Sequence, residues 1–126
     1  MTALPDTNVI LRYLLGDNPA QSPAAEELFE KVRAGREKAL ILESVLVECV
    51  YVLCKYYRVP RGEAAARLSV LLHYRGIVNT DTNELVRALA LFEKGKLDIV
   101  DCILSSKSDA GGYRLFSFDE NLKKMK

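Results

Sequence analysis

Apolar residues along this chain recur with two alternating periods. Ala25, Leu28, Phe29 and Val32 share one helical face, predicting a helix over about residues 22–34 that stops at Gly35. Ala64, Leu68, Leu71 and Leu72 form a second face behind Pro60, which suits a first helical turn, and Gly76 closes it. Leu85, Leu89 and Phe92 form a third, between a cap at Asp81 or Thr82 and the breaker Gly95. A helical run from Val9 to Leu15 ends in the turn Gly16-Asp17-Asn18-Pro19. Ser44 is positioned to cap a helix running through Val45–Cys54, Asp98 opens another to about Asp109, and a short one starts at Asp119. Between them lie strand-like segments at about residues 2–6, at Lys38–Leu42, at Ile77–Asn79, and at Tyr113–Phe118 after Gly111-Gly112. Such alternation, with no linker or repeat, predicts one α/β domain over residues 1–126: a parallel sheet of about four strands with helices on both faces.

Four acids interrupt this pattern. Asp6 falls between the first strand and helix, and Asp119 follows the last strand. Asp101 lies in Leu97-Asp98-Ile99-Val100-Asp101-Cys102-Ile103-Leu104. Glu48 is the only charge in Val45–Cys54, a run apolar enough to be buried on nearly every side, where a carboxylate must be paired, protonated or bound to a cation. In parallel α/β sheets the ligand site lies beyond the carboxyl ends of the strands, and all four positions are expected at that edge. Carboxylates so crowded cannot all stay ionised without a neutralising cation. Oxygen donors without His or Cys select hard ions, Mg²⁺ or Mn²⁺. A carboxylate-held Mg²⁺ keeps waters, lowers the pKa of one, and stabilises charge on a phosphoryl group under attack, which is nuclease chemistry.

Composition narrows the picture without redirecting it. At 126 residues, 49% apolar and 28% charged, the chain suits a single globular domain and is neither disordered nor membranous. A net charge of +1 gives no global basic field, so nucleic-acid binding has to come from a local patch. Three cysteines without a Cys-x-x-Cys pair, and a single histidine, argue against a disulfide scaffold and a zinc site. No leader-like segment and no apolar run of membrane-spanning length appears, so a soluble, cytoplasmic protein is expected.

Asp6-Thr7-Asn8-Val9, Val47-Glu48, Asp98-x-x-Asp101-x-Ile103 and Ser117-Phe118-Asp119 occur in an order and spacing that resembles the PIN-domain ribonucleases, in particular the VapC-type toxins of toxin–antitoxin pairs. The resemblance covers essentially the whole chain. It implies an acidic pocket of Asp6, Glu48, Asp101 and Asp119, with Asp6 and Asp101 as direct metal ligands. It also implies supporting roles for Asp98, one turn before Asp101, and for the small polar residues Asn8 and Ser117. An RNA substrate, a small antitoxin whose C-terminal peptide occupies the active-site groove, and a homodimer follow from the same likeness. Pro5 departs from it, standing where the family usually has an aliphatic residue, and proline cannot donate a ladder hydrogen bond.

Each acid also has a purely structural explanation. Asp6, Asp98 and Asp119 are good helix caps or first-turn acids. Glu48 would need a buried ion pair, with Arg12 or Lys107 as partner. Cys49, Cys54 and Cys102 read as core, His73 as structural, and Tyr51, Tyr56, Tyr57 and Tyr74 as core or interface. Arg12, Lys55, Arg58, Lys94, Lys96 and Lys107 are RNA contacts only if they rim the acids, and Lys123-Lys124-Met125-Lys126 reads as a solvated tail. A catalytically silent PIN-like module that binds RNA or protein is the competing class. A receiver domain would need adjacent acids after the first strand and a late lysine, and a haloacid-dehalogenase phosphatase would need Asp-x-Asp where Asn8 stands.

Overall fold

The computed structural model describes residues 1–124. Its helices are α1 (Thr7–Leu15), α2 (Ser22–Arg33), α3 (Glu43–Tyr51), α4 (Arg61–Leu72), α5 (Thr82–Lys94), α6 (Ile99–Asp109) and α7 (Glu120–Lys124). All seven fall in segments where the sequence predicted a helix. At the end of α1, Gly16 takes the left-handed conformation (φ 59°) and its N–H returns to the Arg12 carbonyl. The cap expected at Ser44 is not formed. Leu42 occupies that position and Ser44 falls inside the first turn of α3. Beyond Tyr51 the helix continues as a π-helical turn over Val52–Tyr56. No described helix is long and apolar enough to cross a membrane.

Only the centre of the expected sheet is present. Ala3 pairs with Ala39 and Ala39 with Ile77, both parallel, as isolated bridges. The Ala3 N–H donates to the Lys38 carbonyl at 2.9 Å and the Leu40 N–H to the Ala3 carbonyl at 3.0 Å. Across the next gap, the Ala39 N–H reaches the Gly76 carbonyl and the Val78 N–H the Ala39 carbonyl, both at 2.9 Å. Pairing of the first segment stops before Pro5, which has no N–H to continue it. On the other side the Asn79 side chain takes over from the backbone. Its Oδ1 accepts from the Ile41 N–H at 2.9 Å and its Nδ2 donates to the Ile41 carbonyl at 2.7 Å.

The fourth strand, expected at Tyr113–Phe118, makes no bridge among the described residues. It has no regular secondary structure, with Leu115 and Ser117 half-buried, while Tyr113, Phe116 and Phe118 stand 73%, 73% and 88% exposed. Phe116 and Phe118 pack edge-to-face on each other, 5.8 Å between centroids, rather than into the core. Their alternation with Leu115 and Ser117 is strand-like, but period-2 patterning records a half-buried surface and cannot supply a free sheet edge to pair with.

Gly76 was expected only to end a helix, yet α4 already ends at Leu72, capped by His73. Its actual constraint is close approach. The Gly76 N–H donates to the Val32 carbonyl at 2.8 Å, and a β-carbon there would meet the Glu37 and Val32 carbonyl oxygens. The core gathers Ile10, Phe29, Ala39, Leu46, Leu68 and Leu85, each fully buried, in one cluster. Helix α5 packs between α4 and α6, while α3 touches α1, α4 and α6.

Candidate functional site

Asp6 is exposed at the N-cap of α1, and its Oδ1 accepts from the Val9 N–H at 3.0 Å. Asp119 does the same for α7: its Oδ1 accepts from the Asn121 N–H at 2.8 Å and the Leu122 N–H at 3.3 Å. Capping therefore engages one oxygen of each carboxylate and leaves Oδ2 outside the cap. Asp98 occupies the N-cap position of α6 but makes no side-chain cap bond. Asp98 is exposed. Ser117 Oγ accepts from the Asp119 N–H at 3.0 Å and so braces Asp119 through its backbone, whereas the Asn8 amide donates to Gln21 Oε1 at 3.1 Å.

Glu48 is not buried, contrary to the expectation from its apolar neighbours. It is exposed, because the inward stripe of this helix and its π-helical extension is Leu46, Cys49, Val50 and Leu53, and position 48 falls beside it. Nor does it form the ion pair that burial would have required. Arg12 binds Asp17 at 3.0 Å and the Tyr57 hydroxyl at 2.8 Å, and Lys107 bridges Glu43 and Asp81 at 3.4 Å each. Burial disfavours the charge on Lys107, yet Asp81 and Glu43 more than offset this and lift its pKa.

Electrostatics divides the acids into two neighbourhoods. Asp101, half-buried in the first turn of α6, has its pKa raised by burial first, then by the negative charges of Asp119 and Asp98. Asp6 and Glu48 meet around Cys49, whose thiol is pushed up to about 12 by burial and then by Glu48 and Asp6. The Cys102 thiol is likewise pushed up to about 11, chiefly by burial. Both thiols are buried, which fits core residues. Among the described residues, no three His, Cys, Asp or Glu side chains stand close enough to enclose an ion.

Asp6 lines a cavity of about 430 Å³ together with Asn8 and Arg12, and a different cavity, of about 370 Å³, adjoins the start of α6. Asp98 and Asp101 line it on the α6 side, and Val47, Val50 and Tyr51 on the face of α3 next to Glu48. Arg61 forms part of its wall and had not stood out in the sequence. Its guanidinium lies 3.7 Å from the centroid of the Phe92 ring and donates to the Phe92 carbonyl (3.0 and 2.8 Å) and the Leu97 carbonyl (2.7 Å). Arg61 thereby fixes the turn that delivers Asp98 and Asp101. One signal was available: a cation in the first turn of a helix opposes the helix dipole and calls for a specific partner.

A model of the PIN domain matches residues 3–126. The chain belongs to the PIN-domain family. It is similar to a VapC ribonuclease of Aquifex aeolicus (strain VF5), 28% identical over 122 residues that span 95% of this chain and 89% of the relative. No solved structure matches it.

The donor chemistry of this PIN domain suits a divalent cation. The exposed donors are carboxylate oxygens, the Cys49 and Cys102 thiols are buried, and Asp101 carries like-charge repulsion that a cation relieves. Mg²⁺ needs no closed protein cage, since one or two carboxylates and several waters complete its shell.

Proposed function

We propose that this PIN domain is a Mg²⁺-dependent endoribonuclease, Mn²⁺ serving as an alternative, that hydrolyses RNA phosphodiester bonds with metal-activated water. In this reading it is the toxin of a type II toxin–antitoxin pair, cytoplasmic and homodimeric, held by a small antitoxin whose C-terminal peptide fills the active-site groove. The observation that carries the reading is the like charge gathered at the start of α6, where Asp98 and Asp119 push against a half-buried Asp101 beside an open cavity. The similarity to a protein named VapC ribonuclease supports RNA as the substrate.

Asp6 and Asp101 are the proposed metal ligands, with Glu48 and Asp119 completing the catalytic acids. The ion, when bound, lowers the pKa of a water and neutralises charge on the phosphate. The chain's own groups do the positioning. The caps on α1 and α7 hold one oxygen of Asp6 and of Asp119 against the backbone, which orients the other. Glu48, exposed and without an ion pair among the described residues, is the proposed proton acceptor for the attacking water, while Asp98 adds negative charge beside Asp101. Single-stranded or looped RNA suits such a site, because its backbone can splay against an open acidic surface.

Purified chain, free of any antitoxin, is expected to cut single-stranded RNA when Mg²⁺ is added and to stop in excess EDTA. Asp6→Asn and Asp101→Asn should each lower the rate about a hundredfold or more. Cleavage that persists in EDTA would remove the metal mechanism. Binding of RNA without cleavage under any divalent ion would favour the silent module instead.

A further inference from the structure

We infer that the cavity between α3, Arg61 and the start of α6 is the subsite that holds the nucleotide next to the cleaved bond. This rests on the reading of RNA as substrate. The walls are Val47, Val50 and Ile99, apolar side chains that offer nothing to the hydrogen-bonding edges of a base. Tyr51 stands at the rim, 64% exposed despite its ring, and presents an unpacked aromatic face. Lys55 lies on the same wall and makes no ion pair among the described residues. Opposite them are Asp98 and Asp101. An aromatic face, a free cation and one proposed metal-binding carboxylate, Asp101, around an apolar hollow match the three parts of a nucleotide: base, outer phosphate and scissile phosphate. The volume, about 370 Å³, is in the range of small-ligand sites, roughly 300–1,000 Å³.

Two local features create this arrangement. The π-helical turn Val52–Tyr56 interrupts the α-helical register after Tyr51, and Cys54 and Lys55 within it form part of the cavity wall. Arg61 shares the wall but is anchored by the Phe92 and Leu97 carbonyls, so Lys55 is the cation left for a phosphate. Without base-edge donors the subsite grips a base by its face, and only weak preference among bases follows.

The test measures binding of a labelled single-stranded hexaribonucleotide to the full chain carrying Asp6→Asn, which stops hydrolysis while asparagine still caps α1. Tyr51→Ala should weaken binding about tenfold at constant salt, and Tyr51→Phe should restore it. Lys55→Ala should reduce the slope of log Kd against log salt by about 0.7, the share of one phosphate on a single strand, and Lys55→Arg should restore it. Both positions are exposed, so unchanged melting temperatures confirm intact folds. Affinity and salt slope unchanged in both alanine variants would overturn the inference and leave the cavity to another occupant, such as a protein segment. If the native chain never cleaves RNA yet binding depends on Tyr51 and Lys55, the nuclease reading falls and the cavity stands as a nucleotide-binding site without a scissile bond beside it. If it cleaves and both variants bind normally, the reverse holds.

Discussion

Asp101 combines burial with two like-charged neighbours, and both raise its pKa. A raised folded-state pKa means that the native protein binds this proton more tightly than the unfolded chain does. Stability contributed by Asp101 therefore falls as pH rises from the ordinary carboxylate range through the raised folded value, and the penalty persists above it. In metal-free buffer at neutral pH, Asp101→Asn should melt at or above the native chain, with the gap closing as pH falls through that window. A calorimetric pH series checks this, and a variant less stable at neutral pH would contradict it. Asn79 carries a different load. Its side chain satisfies both backbone groups of Ile41 and donates to Asp81 Oδ1 at 3.0 Å, tying the segment before α3 to the start of α5. Asn79→Ala should cost about 1–3 kcal/mol in urea unfolding, because it strands the Ile41 N–H and carbonyl. Both roles were hidden in the sequence. Asp101 could be picked out by type and spacing, but its neighbour Asp119 lies in another element, and Asn79 read simply as a strand residue.

At the level of elements, the helices were readable because the signal is local: apolar spacing, a cap and a breaker all lie within one segment. The sheet was not, since a bridge needs two distant segments in register. The first three strand-like segments found partners at Ala3, Ala39 and Ile77, whereas Tyr113–Phe118 found none. Gly76 shows why register is decided so narrowly, because it packs against the Val32 and Glu37 carbonyls while its own carbonyl accepts from Ala39. Gly76→Ala should destabilise by roughly 3 kcal/mol in thermal or denaturant unfolding, as overpacking against backbone does. Glu48 belongs to this scale too. Its apolar neighbours suggested burial on every side, but a helix buries a stripe, and the phase of that stripe leaves position 48 outside.

For the whole molecule, the consequence of gathering acids is linkage between cation binding and folding. Mg²⁺ at a hundredfold its Kd should stabilise the native chain by about 2.7 kcal/mol, read as an upward shift in melting temperature. Asp101→Asn should lose most of that shift, and an equal shift in both proteins would place the ion elsewhere. Membership of the PIN-domain family and the helical segments were both determined by the sequence alone, through residue type, order and short-range spacing. Only the tertiary structure decided that Asp98 and Asp119 crowd Asp101, that Glu48 faces solvent near Asp6, and that Arg61 steadies the turn before α6. Those outcomes depend on distances between residues far apart in the chain and on which side of each helix meets the core, and local pattern fixes neither.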